Sequence, residues 1–129
     1  MEQAKALLIK FAGITAALYL ALSFGGAAST AAQLLTVALV LTVVAYIVGD
    51  RMILPAGGNA VAVVADGLVA MAILWLCGAL MPGLDLPFGA IVLATLLIAV
   101  VEFFFHRYLI ARGLVEPPGS DRLHDRNEA

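Results

Sequence analysis

Four long apolar stretches, separated only by short breaks containing Gly or Pro, leave this chain almost nothing from which to build a water-soluble surface. Of its 129 residues, 64% are hydrophobic and 12% charged, and the mean hydropathy of +1.07 lies far outside the range of soluble domains. A helix needs about 20 apolar residues to cross roughly 30 Å of hydrocarbon. The pattern predicts spans at about residues 6–24, 31–54, 59–81 and 87–112, broken at Gly25-Gly26, at Pro55-Ala56-Gly57-Gly58 and at Pro82-Gly83. Such short connections return the chain to an adjacent position. The expected fold is therefore all-α, an integral membrane four-helix bundle of two antiparallel helical hairpins. Residues 1–113 form its helical domain. From Glu116-Pro117-Pro118-Gly119-Ser120 onward the composition turns polar, so residues 114–129 are expected to form a flexible cytoplasmic tail.

Orientation follows from the basic residues, which are retained on the cytoplasmic side of span ends. Lys5 and Lys10 flank the first span, Arg51 lies at the second break, and Arg107, Arg112, Arg122 and Arg126 lie toward the C-terminus. The breaks near residues 25–30 and 82–87 contain no Lys or Arg. Both termini are thus expected in the cytoplasm, for a multi-pass protein of a bacterial plasma membrane. Tyr19 and Trp75 then fall at the outer interface and Tyr46 and Tyr108 at the inner one, as aromatic belts do. The first span also has the basic flank and small-residue stretch of a secretory signal, and is read here as a retained helix.

Ionisable residues inside apolar spans are costly, about 2.5–3.5 kcal/mol each on insertion scales, and face the bundle interior. Lys10, Asp50, Asp66, Glu102, His106 and Arg107 would lie at similar depth and constitute the candidate polar cluster. Glu102 and His106 are four apart and share a helix face. Two readings stand side by side: a proton- or cation-binding site of carboxylate oxygens and an imidazole, or an ion-paired network that sets helix register, with Lys10, His106 or Arg107 compensating Asp66 and Glu102. Glu-x-x-x-His alone is a weak metal signature, so no metal and no cofactor is expected.

Gly13, Ala17, Ala21 and Gly25 recur every four residues and form a helix-packing stripe, used within the chain or against another copy. Asn59, after Gly57-Gly58, reads as a helix cap, and Phe103-Phe104-Phe105 as lipid-facing and core residues. Displacing the second half by 56 positions aligns Arg51 with Arg107, Asp50 with His106, Lys10 with Asp66 and Tyr19 with Trp75. If that is a true repeat, the hairpins are related by a pseudo-twofold axis along the membrane normal.

No phosphate-binding Gly loop and no Ser/His/Asp or Cys/His set can be assembled, and Cys77 reads as a packing residue, so enzyme activity is not expected. A net charge of -2 spread over few groups argues against a nucleic-acid partner. The leading expectation is a non-enzymatic unit that packs with itself or within a membrane complex, with the lipid bilayer as its surroundings. The alternatives are a proton or cation channel or transporter, and a holin-like pore.

The segment Gly49-Asp50-Arg51-Met52-Ile53-Leu54-Pro55, then Gly58-Asn59 and Ala65-Asp66-Gly67, resembles the YndM-like family of small four-helix membrane proteins from spore-forming Gram-positive bacteria. Lys5-Ala6-Leu7-Leu8-Ile9-Lys10-Phe11 is similar to it as well. The resemblance covers about residues 4–112, with Gly49, Asp50, Pro55, Gly58 and Asn59 as its hairpin motif. It implies a four-span fold and, the family being of unknown function, no activity.

Overall fold

The computed structural model describes residues 2–115. Helix α1 spans Glu2–Phe24, α2 Ala31–Ala45 and α3 Leu54–Leu80, a π-helical segment at Tyr46–Ile53 joins α2 to α3, and α4 spans Phe88–Ala111. The elements formed by the described residues are all helical, as the apolar pattern predicts. Three continuous helical runs, Glu2–Phe24, Ala31–Leu80 and Phe88–Ala111, are long and apolar enough to cross a membrane.

The middle run is two limbs rather than one rod. Its backbone leaves helical geometry at Gly58 (φ 85, ψ 178), a conformation that a side chain bearing Cβ rarely adopts. Asp50 and Asp66 would stand about 24 Å apart along a straight helix. Both instead bring a carboxylate oxygen to within 3.0 Å of the same atom, His106 Nε2. The second break therefore sits later and is narrower than the sequence suggests. Helical structure continues through Pro55, which falls in the first turn of α3 where its missing N–H costs nothing, and the reversal is made at Gly58.

Packing between helices follows the antiparallel order. Lys10 of α1 reaches Glu102 of α4, and a Cβ on Gly13 would lie 2.9 Å from Val101 while one on Gly25 would lie 2.6 Å from that of Ala90. Rising numbers on α1 thus meet falling numbers on α4. The Gly13, Ala17, Ala21, Gly25 stripe lets these two backbones approach, with Ala17 and Ala21 buried between them and their neighbours.

Buried residues form two apolar layers. One gathers Ile14, Leu18, Leu41, Leu74, Ile91 and Ile98. The other gathers Ala6, Leu54, Ala62, Phe105, Leu109 and Val115. Leu114 and Val115, expected at the start of the polar tail, extend the second layer, and the remainder of that tail, His124 included, lies outside the described residues. Large apolar side chains such as Leu68, Trp75, Leu96 and Phe104 point outward, which suits contact with lipid.

At the end remote from the N-terminus the two loops are tied together. Ala28 and Asp85 exchange backbone hydrogen bonds of 3.0 and 2.9 Å. Thr30 and Gln33 form a reciprocal capping box on α2, and Gln33 Nε2 also donates to the Pro82 carbonyl at 2.7 Å.

Candidate functional site

Between the two apolar layers lies a single polar one. On α1, Lys10 occupies the buried row that also holds Ala6, Ile14 and Ala17. On α3, Asp66 sits in the row with Ala62 and Ala70, and on α4 Glu102 and His106 share the row with Ile98 and Leu109. Helical spacing carries each polar group inward with its apolar neighbours. Asp50 comes from the π-helical segment, so all four sides of the bundle contribute. Lys10, Asp50, Glu102 and His106 are 0% exposed and Asp66 is 2% exposed.

Lys10 Nζ donates to Asp50 Oδ2 at 2.6 Å and to Glu102 Oε2 at 2.8 Å, and lies 4.9 Å from the Phe105 ring centre, a favourable cation–π distance. His106 Nε2 is approached by three carboxylates, at 2.7 Å from Asp50 Oδ1, 3.0 Å from Asp66 Oδ2 and 3.3 Å from Glu102 Oε2. On the other edge of the ring, Nδ1 lies 2.9 Å from Asn59 Oδ1. The Asn59 amide nitrogen donates to the Phe103 carbonyl at 3.4 Å, which turns the amide oxygen toward Nδ1. An amide oxygen only accepts, so Nδ1 carries the hydrogen.

Three carboxylates against one ammonium and one imidazole leave the layer short of positive charge even with His106 protonated. Its buried groups are also incompletely satisfied: Asp50 Oδ1, Asp66 Oδ2, Glu102 Oε1 and His106 Nε2 are all without a hydrogen bond of good geometry. One donor atom from each of Asp50, Asp66, Glu102 and His106 lies within 4.8 Å of the others. Chemically, such a layer holds a proton or a cation, since isolated buried charge is otherwise very costly.

The structure corrects two residue assignments. Arg107 is not a member of the layer but exposed on the outer surface, its guanidinium 5.9 Å from the Phe103 ring, because one step beyond His106 rotates a helical side chain about 100° off the buried face. Asn59 does stand at the head of the limb that follows Gly58, but its side chain reaches across to α4, to His106 and the Phe103 carbonyl, instead of capping its own helix. Nothing in its local sequence announces a partner 47 positions away. Gly49 carries a second unannounced role, since a Cβ there would overlap the Asp66 carboxylate. Of the hairpin motif, Asp50 enters the layer, Gly49 and Asn59 support it, and Pro55 and Gly58 shape the turn. With Lys10, Asp50, Glu102 and His106 fully buried and Asp66 nearly so, the layer is closed in this conformation.

Comparison with known proteins gives a family and a membrane-protein relative. Residues 1–124 match the family described as "Protein of unknown function (DUF2512)". An "uncharacterized membrane protein YndM" of Bacillus subtilis (strain 168) is 40% identical over 81 residues, which cover 62% of this chain and 45% of that protein. The match thus spans about half of the relative's length. No solved structure matches the chain.

Proposed function

We propose, for a chain that belongs to the DUF2512 family of proteins of unknown function, a role in binding and passing a cation across or into the membrane through the buried layer of Lys10, Asp50, Asp66, Glu102 and His106. The observation that carries this reading is the surplus of buried negative charge around one imidazole nitrogen. A purely structural ion-pair layer would be more stable with its charges matched, and intramembrane ionisable groups that face a bundle interior characteristically mark ion pathways.

In this reading the chain crosses a bacterial plasma membrane four times with both termini cytoplasmic and its apolar exterior against lipid, and the layer would lie near the inner surface. Closure on every side fits a transporter that exposes its site alternately better than a continuously open channel. The π-helical segment supplies an element able to move: π-helical turns within α-helices accompany functional sites, and a return of Tyr46–Ile53 to α-helical bonding would rotate Asp50 away from His106. The small-residue stripe of α1 packs against α4 at Gly13 and Gly25, so it lends the assembly reading no support.

Reconstitution into liposomes tests the proposal, with internal dyes reporting protons and divalent metal ions. Flux of one of them, abolished by Asp66→Asn with the fold intact, is the expected result. If neither species moves and added cations leave the thermal stability unchanged, the layer is a structural network and the proposal fails.

A further inference from the structure

We infer that the layer is a coordination site for one divalent first-row transition-metal ion, with Asp50, Asp66, Glu102 and His106 as its ligands. This rests on the cation reading above and specifies the cation. Three of the residues divide their polar atoms in the same way. One atom is engaged outward, Asp50 Oδ2 and Glu102 Oε2 with Lys10 and His106 Nδ1 with Asn59. Of the other atoms, Glu102 Oε1 is buried without a hydrogen-bond partner, and His106 Nε2 meets Asp50 Oδ1 and Asp66 Oδ2 at 2.7 and 3.0 Å without hydrogen-bond geometry. That pattern is the one metal sites show: ligating atoms left without hydrogen bonds, and the far side of the ligand held by an outer group.

Distances agree with it. Metal–ligand bonds of about 2.0–2.2 Å place adjacent donors roughly 3–3.5 Å apart and opposite donors roughly 4–4.5 Å apart. Around His106 Nε2 the proposed ligand atoms Asp50 Oδ1 and Asp66 Oδ2 stand at 2.7 and 3.0 Å, and one donor atom from each of the four residues falls within 4.8 Å of the others. Only small shifts are needed to close on an ion.

Charge selects the valence. With Nδ1 hydrogen-bonded to Asn59, His106 can be neutral and present its Nε2 lone pair to a metal. Three carboxylates and Lys10 then sum to two negative charges, which a divalent ion cancels and a monovalent ion does not. The imidazole favours zinc, iron, manganese or a related ion over magnesium or calcium, which take oxygen ligands.

The test uses full-length protein in detergent, stripped by chelation and then titrated with Zn²⁺, Mn²⁺ or Mg²⁺ by calorimetry and elemental analysis. Expected are one Zn²⁺ or Mn²⁺ per chain, loss of at least 100-fold in affinity for His106→Ala and Asp66→Asn, and 10–100-fold loss for Asn59→Ala, which touches no metal. Cys77→Ala and His124→Ala, which remove the other thiol and imidazole donors, should leave affinity unchanged. Should His106→Ala fail to fold, Asp66→Asn and Asn59→Ala carry the test, with helicity by circular dichroism as the control. Absence of binding by the wild type, affinity indifferent to these variants, or equal competition by Mg²⁺ would each overturn the inference. Proton flux without metal binding would overturn it while leaving the wider cation proposal standing; absence of both would remove the two together.

Discussion

The space that a methyl group on Gly49 would need is filled by the carboxylate of Asp66. This one contact lets the π-helical segment and α3 approach closely enough for Asp50 and Asp66 to share His106 Nε2. Gly49→Ala would gain up to about 1 kcal/mol in helix propensity, yet the overlap is with a buried charged group, and overpacking of this kind costs about 1–3 kcal/mol. A lowered melting temperature is expected. Combining it with Asp66→Ala, which vacates the space, should cost less than the sum of the single effects; strict additivity would show that the two residues are not in contact.

Close approach of α1 and α4 makes a second, independent prediction. A Cβ on Gly25 would lie 2.6 Å from Ala90 Cβ and 2.7 Å from its Cα, so Gly25→Val must push two backbones apart. A loss of about 1–3 kcal/mol in stability is expected, seen as a lower melting temperature at unchanged oligomeric size. A variant that kept its stability but changed its size on gel filtration would assign the stripe to contact between copies.

Much of this architecture is legible in the sequence because lipid and water impose simple demands. Apolar runs of span length must be helices, and Lys10, Asp66, Glu102 and His106, each embedded in such a run, must turn inward at whatever depth their position dictates. What cannot be read is the phase of Asp50. Ordinary helical spacing carries α2 only to Ala45, and the wider π-helical turns that follow reset which residues face inward. No composition rule signals that change. Asn59 misleads for a related reason: beside Gly57-Gly58 it looks like a cap, while its actual partners, His106 and the Phe103 carbonyl, belong to a helix that sequence spacing cannot dock. For Arg107, position along the chain gives its depth correctly, but rotation about the helix axis, which depth does not report, carries it to the outer surface.

Sidedness can be checked by single cysteines in a background carrying Cys77→Ala. Ser29 and Asp85 lie in the loops joined by the Ala28–Asp85 hydrogen bonds, whereas Gly57 lies at the opposite end, beside the reversal at Gly58. Impermeant maleimide applied to intact cells should label Ser29→Cys and Asp85→Cys and spare Gly57→Cys, given the basic residues at the other end. Labelling of Gly57→Cys alone would invert the orientation and move the polar layer to the outer half of the membrane.

Lys10 and Asp66 carry opposite predictions, although both are internal and charged. Lys10 holds Asp50 and Glu102 at once, so Lys10→Met leaves three carboxylates facing each other and only His106 to offset them. Breaking a buried pair in this way costs about 3–5 kcal/mol, enough to unfold many proteins of this size. Asp66 pairs with no ammonium among the described residues; its one ion-pairing neighbour there is His106. Asp66→Asn therefore relieves repulsion while retaining shape, and the cation-free protein should keep its melting temperature or gain slightly, within about 1 kcal/mol of the wild type. The same variant should no longer be stabilised by added cation. Thermal melts of the two variants with and without Zn²⁺ measure both effects, and a second change, Asp50→Asn in the Lys10→Met protein, should restore part of the lost stability by removing one unpaired charge. Destabilisation by Asp66→Asn as large as that by Lys10→Met would mean that Asp66 is an essential ion-pair partner, and the surplus charge on which the cation reading depends would not exist.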